Sequence, residues 1–245
     1  MKIAAILVCL GCYLADQADA QGFINLDFEQ ASIQPVYDDG FFATLEWDLA
    51  APGWGHSEVP DAAYVSYRNT HLGTGQRYLL VDSQSPSPQT GLGALEGTYS
   101  FYLAGGGVTP PGGGETEYVN AYLTQTGTVP SDARSIRLLA QGVCRVFLNG
   151  SEVSLISLGG DSYGGDVSAF AGSAAELKIM DASRPIAEEI FVGVTVDGIE
   201  FSPIAVPEPS AMALSCLAGL VLGTVAFRRT RAEPIVGPNG APHRR

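Results

Sequence analysis

The segment CRVFLNGSEVSL, Cys144 to Leu155, constrains the fold more than any other. Asn149-Gly150 stands between two alternating runs, and both central positions of a type I′ turn need positive φ, which these two residues tolerate best. The spacing predicts a two-residue hairpin with Val146 opposite Val153 and Cys144 opposite Leu155, all on one apolar face. In that register Cys144 is a small buried hydrophobe and not a reactive thiol, since no histidine neighbours it in sequence.

Other segments repeat the strand signal. YVNAYLTQT puts Val119, Ala121 and Leu123 on one face and Tyr118, Asn120 and Tyr122 on the other. IFVGVTVDGIEFSP is nearly all apolar before Asp197-Gly198, which predicts one long strand buried on both faces with a bulge at that dipeptide. In DVSAFAGSAAELKIM, Asp166 can cap a single helical turn, Gly172 can stop it, and Leu177 and Ile179 resume an inward face. No stretch between residues 21 and 206 has the length or stripe of a long helix. With 30 glycines and 15 prolines in the chain, the expectation is an all-β fold, an antiparallel β-sandwich over 22–204. Gly105–Gly114 reads as a surface loop within it.

The two ends carry a different chemistry. Lys2 precedes an apolar run from Ile3 to Leu14, and Ala18-Asp19-Ala20 is a small-x-small site, so 1–20 reads as a signal peptide cleaved after Ala20. An uncleaved anchor is the alternative. Cys9 and Cys12 leave with that segment and Cys216 falls in the C-terminal apolar run, so the exported body holds Cys144 alone and must stand on its packed core. At the other end Ala211 to Phe227 is free of charge. As a helix it spans about 25 Å, the short limit for a bilayer. Arg228, Arg229 and Arg231 follow and act as a cytoplasmic membrane stop. Upstream, Pro207 and Pro209 keep the chain extended.

The order VPEPS, apolar helix, RRTR resembles the PEP-CTERM sorting signal of Gram-negative bacteria. That resemblance implies an exosortase-type membrane peptidase as partner, with Pro207, Glu208 and Pro209 as its recognition motif within 206–231. The chain departs from the family pattern by running on through AEPIVGPNGAPHRR, a tail at 232–245 read as disordered and cytoplasmic. A plain single-pass anchor is the alternative. Further pieces in order, FINLDFEQA, APGW, LEGTYSFYLAGG, VFLNGSEVSL and VDGIEFSP among them, resemble ectodomains of PEP-CTERM proteins that look like galactose-binding-type jelly rolls, close to carbohydrate-binding modules. This implies a sandwich and transfers no ligand residue.

Between residues 21 and 206 there are 22 acidic side chains and seven basic ones, a balance of about −15. Such a body is repelled by phosphates, so no nucleic acid is expected as partner. Ser57, His56 and Glu58 are adjacent in PGWGHSE, whereas triad members converge from separate elements. The carboxylate pairs Asp38-Asp39 and Glu188-Glu189 read as solvated loops and not as a glycosidase pair. Cysteine and histidine spacing suits no zinc site. Calcium is possible at Asp161 and Asp166 in GGDSYGGD, against the simpler reading of a turn without metal. For sugars, aromatic residues gather at Trp47, Trp54, Tyr64, Tyr67 and Tyr78, with Tyr64, Tyr67 and Arg77 as candidate ligand-binding residues. Tyr64 and Tyr67 fall on opposite faces of a strand, so at most one is exposed. Trp54 reads as a core plug. The expectation is an exported, non-enzymatic protein of the cell envelope or extracellular matrix; the alternative is a carbohydrate-binding module on extracellular polysaccharide.

Overall fold

The computed structural model describes residues 22–40, 43–57, 64–67, 77–83, 93–108, 117–183 and 193–207. In chain order the strands are β1 (Pro35–Asp38), β2 (Ala43–Glu46), β3 (Gly55–His56), β4 (Tyr64–Tyr67), β5 (Arg77–Asp82), β6 (Tyr99–Ala104), β7 (Gly106–Val108) and β8 (Glu117–Val119). They continue as β9 (Tyr122–Thr128), β10 (Ser135–Gln141), β11 (Cys144–Leu148), β12 (Ser151–Val153), β13 (Ile156–Gly159), β14 (Ser162–Asp166), β15 (Ala174–Asp181) and β16 (Val194–Ser202). One helical turn, α1 (Trp47–Ala50), follows β2 directly.

These strands form a nine-stranded sheet, β1-β2-β4-β5-β6-β16-β10-β14-β13, and a five-stranded sheet, β12-β11-β15-β9-β3. A ribbon of β7 and β8 stands apart from both. Val146, Leu177, Ile179 and Leu123 from the smaller sheet belong to one buried cluster with Leu45, Val65, Phe101, Ile136 and Val196 from the larger. The mostly β chain therefore fits a β-sandwich, all of it within the compact unit that ends at Val206. Each fully buried Leu, Ile or Phe contributes about 1.5–3 kcal/mol.

Local chemistry sets several elements as the sequence predicts. Asn149 (φ 47°) and Gly150 (φ 75°) make the turn between β11 and β12, with Val146 opposite Val153. β16 runs unbroken for nine residues, and Leu138 faces the extra residues at Gly198 and Ile199, where the register slips. The bulge places Gly198 at φ +52°. Asp166 Oδ1 accepts the Ser168 N–H at 2.8 Å and starts a 3₁₀ turn at Ser168–Phe170, after which Gly172 (φ +72°) releases the chain into β15. Leu177 and Ile179 point into the core.

Other expectations need correction. β4 pairs with β5 in parallel, so the sandwich is not wholly antiparallel. YVNAYLTQT keeps its alternation, with Ala121 and Leu123 buried, but breaks at Asn120 so that β8 and β9 join different sheets. Gly106–Val108, read as loop, is a strand paired with β8. Leu155 lies beyond the end of β12; the cross-strand partner of Cys144 is Asp181 on β15.

Residues 22–34 close the sandwich, joined to the smaller sheet by a single parallel bridge from Gly22 to Thr128 on β9. Phe28 is buried at φ 56° and stacks on Trp54 and Phe101, with centroids 5.6 and 5.4 Å away. Gln125 anchors this segment, accepting the Ile24 N–H at 2.7 Å and donating to the carbonyls of Ile24 and Gly53 at 3.0 Å. Among the described residues no helix is long and apolar enough to cross a membrane. The signal segment 1–20, the predicted span 211–227, the arginines at 228, 229 and 231 and the tail lie outside the described residues.

Candidate functional site

Alternation along β4 turns Val65 and Tyr67 inward and leaves Tyr64 and Ser66 on the outer face of the larger sheet. Tyr64 is 51% exposed. Tyr67 is 3% exposed, and its hydroxyl donates to Asp82 Oδ2 at 2.7 Å inside the core, which removes it from the candidate ligand residues. Pairing extends the outer face sideways. Glu46 on β2 lies opposite Tyr64, Thr44 opposite Ser66, and Tyr37 on β1 opposite Thr44. Paired residues share a face, so Tyr37, Thr44, Glu46, Tyr64 and Ser66 form one platform. β5, which begins at Arg77, pairs in parallel with β4, Ser66 opposite Leu79, and the Arg77 side chain lies outside the described residues. Of the candidates singled out in sequence Tyr64 stands on this platform, and Tyr37 and Glu46 join it through pairings between distant segments.

Tyr37 is 52% exposed, and its hydroxyl donates to Asp39 Oδ2 at 3.3 Å. The charge of Asp39, followed by partial desolvation, raises the Tyr37 phenol above its ordinary pKa. Beyond Arg77 the outer face changes character: Leu79, Val81, Tyr102 and Ala104 form a second buried apolar cluster. The platform therefore occupies one margin of the sheet. Its edge strand is blunted by Pro35 and by a register slip at Val36, devices that oppose strand addition.

The outer face of the five-stranded sheet is occupied differently. Lys178 Nζ stands 3.9 Å above the Tyr122 ring, and the Arg145 guanidinium lies 5.0 Å from the Phe147 centroid. Arg145 also donates from Nε to Glu152 Oε1 at 2.8 Å, and Glu152 is the cross-strand partner of Phe147. A ring and a carboxylate side by side on a sheet hold a cation here.

Of the residues considered for catalysis, Glu58, Glu188 and Glu189 lie outside the described residues, whereas His56, Ser57, Asp38 and Asp39 are described. His56 Nδ1 is 2.8 Å from the Ser57 carbonyl and its ring packs on Trp47, while the Ser57 hydroxyl meets the Tyr78 hydroxyl at 2.5 Å. Trp47, Trp54 and Tyr78 are core residues; the Trp54 indole donates to the Asn25 carbonyl at 2.9 Å. Burial, and then the nearby Asp181, push the Cys144 thiol up to about 11, which makes it inert. Asp181 and Asp197 are themselves buried. Asp181 accepts the Gly105 and Ser183 N–H groups at 2.8 and 2.9 Å, and desolvation raises its pKa.

The calcium candidates are separated. Asp161 precedes β14 and Asp166 ends it, and five extended steps put them about 16 Å apart, too far to share an ion. Of GGDSYGGD, read as a turn, only Gly160 and Asp161 turn, and Ser162–Asp166 form β14. In the fold Gly164 and Gly165 are strand positions where neighbours crowd: a Cβ on Gly165 would collide with Val153, and one on Gly164 would lie 2.7 Å from Val206 Cγ1. Among the described residues no group of three or more His, Cys, Asp or Glu side chains could hold a metal.

Past the last strand the Ser135 hydroxyl donates to the Ile204 carbonyl at 2.7 Å and Val206 is half-buried, whereas Pro207, the first residue of the proposed recognition tripeptide, is exposed. Residues 205–231 match the family model described as the PEP-CTERM protein-sorting motif. The chain carries a PEP-CTERM motif. Such a motif implies an exported protein processed at the membrane by an exosortase-type enzyme. Pro207, Glu208 and Pro209 all lie within the match, as do Arg228, Arg229 and Arg231, although Glu208 onward is outside the described residues. No curated protein matches the chain. Solved structures similar to it include the apo form of a cyclase from Fischerella sp. and the enzymatically active domain of tailspike protein 4 from bacteriophage CBA120. The cyclase is 13% identical with a TM-score of 0.41, over 74% of this chain and 93% of that one. The tailspike domain is 16% identical with a TM-score of 0.28, over 60% of this chain and 19% of that one. Likenesses this slight carry nothing about chemistry.

Proposed function

We propose that this is an exported, non-enzymatic protein of the cell envelope or extracellular matrix. Its N-terminal signal directs it across the inner membrane, the apolar segment 211–227 holds it there, and an exosortase-type peptidase acts at Pro207-Glu208-Pro209. The observation that carries this reading is the sorting motif, whose match begins at residue 205, three residues beyond the last strand. The proposed recognition tripeptide itself begins at Pro207, just after the compact unit that ends at Val206. Support for a non-enzymatic role comes from Ser57 and His56, whose polar atoms are engaged by Tyr78 and by the Ser57 backbone.

The test is expression of the full chain with and without an exosortase-type peptidase, beside a variant with Pro207→Ala, Glu208→Ala and Pro209→Ala. With the peptidase present, the wild-type chain should lose its C-terminal mass and the variant should stay full-length in the membrane fraction. Identical processing of the two would overturn the assignment.

A second reading, the carbohydrate-binding module of jelly-roll type, is favoured by one observation: Tyr64 is exposed on a sheet face with Glu46 opposite it. An accessible ring flanked by polar groups is what stacking on a pyranose requires.

A further inference from the structure

The chain does not leave the sandwich where its last strand ends. β16 closes at Ser202, whose carbonyl accepts the Arg134 N–H at 2.8 Å. Ser202 Oγ then accepts the Ile204 N–H at 3.3 Å, which turns the backbone at Pro203, and the Ser135 hydroxyl donates to the Ile204 carbonyl at 2.7 Å. Two residues on, a Val206 methyl occupies the space that a side chain on Gly164 would need, 2.7 Å from an ideal Cβ there. Ser135 and Arg137 share one face of β10, and Arg137 is the cross-strand partner of Gly164 on β14. Residues 202–206 therefore cross β10 from β16 to β14 as a strap, and Ser135 beneath it is fully buried. The sorting-motif match begins at residue 205, so its first two residues, Ala205 and Val206, belong to the strap, whereas Pro207 is exposed. We infer that the strap is a latch: the sandwich withholds the N-terminal side of the sorting motif from the peptidase, and Ser135 and Gly164 set how readily it is released. The inference rests on the sorting reading above.

An enzyme that takes a peptide in extended form uses main-chain hydrogen bonds and alternate side chains along it. Pro207 and Pro209 have no N–H to donate, so such contacts fall on their neighbours, Ala205 and Val206 among them. In the folded chain the Val206 side chain is committed to Gly164 and the Ile204 carbonyl to Ser135. Peptidase and sandwich thus compete for one segment, and the apparent affinity of the motif is lowered by the fraction of chains whose strap is closed. The hold is slight. One side-chain hydrogen bond and one half-buried valine maintain it, while Ile204 is 63% exposed. Before Ser202 the main chain is locked into β16, so release stops there and costs the sandwich no strand.

The full chain is expressed with an exosortase-type peptidase as wild type, Ser135→Ala, Gly164→Ala and Ile179→Val, and loss of the C-terminal mass is followed in time. Ser135→Ala leaves the exposed Ile204 to water, and Gly164→Ala unseats Val206 through a separate contact, so either variant tests the latch if the other folds poorly. Both leave the tripeptide untouched. Each should be processed about fivefold faster than wild type, the effect of roughly one lost hydrogen bond on the closed fraction. Deuterium uptake across 203–207 should rise in both while β10 and β16 stay protected. Ile179→Val loosens the core under the other sheet and should be processed at the wild-type rate. Equal rates in all four chains would overturn the latch and leave the sorting reading standing. Slower processing of Ser135→Ala and Gly164→Ala would mean that the strap presents the motif, which overturns the latch as well. Equal acceleration of Ile179→Val would assign the effect to general loosening and overturn it. No processing of any chain would overturn the sorting reading and the latch together.

Discussion

At Asp197 burial and hydrogen bonding pull in opposite directions. Its Oδ2 accepts the Ser100 hydroxyl at 2.5 Å and the Glu96 N–H at 3.0 Å, and Oδ1 accepts the Gly198 N–H at 2.7 Å. Those donors favour the carboxylate, yet desolvation outweighs them and the Glu96 charge adds to it, so the pKa rises from 3.8 to about 6. Between those values the folded state holds more protons than the unfolded one, and stability must fall as pH rises through the window. About two pH units correspond to on the order of 3 kcal/mol. Asp166 has the opposite sign, because the Ser168 N–H holds its pKa down and its contribution is lost as pH falls. Asp197→Asn isolates the first effect: the thermal midpoint of the wild-type chain, relative to the variant, should drop steadily between pH 4 and pH 7. A gap that stays constant across that range would show that Asp197 does not titrate in the folded protein.

Elements explain which parts of this fold could be read from sequence. The Asn149-Gly150 hairpin, the bulge at Gly198 and the turn capped by Asp166 depend on residues within a few positions of one another, and each was legible. The sheet order was not, because β4 beside β5 in parallel and β6 beside β16 are pairings between distant segments that no local pattern encodes. The candidate site divides the same way. Alternation in YVSY announced that one tyrosine faces out, but Glu46 and Tyr37 reach Tyr64 only through non-local pairing. Glycine misled most directly, since it serves both turns and close contacts. Gly160 (φ +57°) has open space around its α-carbon and acts through its backbone, whereas Gly165 is a strand residue pressed against Val153 and the Ser154 carbonyl. Gly165→Ala should therefore cost about 1–3 kcal/mol in chemical denaturation by overpacking. Adding Val153→Ala should return part of that loss. If the two losses simply add, crowding is not what Gly165 relieves.

For the molecule as a whole the decisive quantity is uncompensated charge. Twenty-two acidic against seven basic residues between 21 and 206 leave far more carboxylates than any pairing could neutralise. Among the described residues one ion pair stands out, Arg145 with Glu152, with both side chains close to half exposed. A solvent-exposed pair like that contributes little, and salt weakens it further. Self-repulsion spread over the surface is weakened by salt as well, and its removal stabilises the fold. The two effects differ in sign, so the salt dependence of stability tells which dominates. Repulsion involves many more charges here, so raising ionic strength from about 0.02 M to about 0.3 M, where the Debye length contracts from roughly 20 Å to below 8 Å, should raise the thermal midpoint. A gain of about 1 kcal/mol corresponds to about 2–4 °C for a domain of this size. A midpoint that falls as salt is added would mean that favourable ion pairs outweigh the repulsion, and the acidic surface would then be a folding device more than a filter for what approaches it.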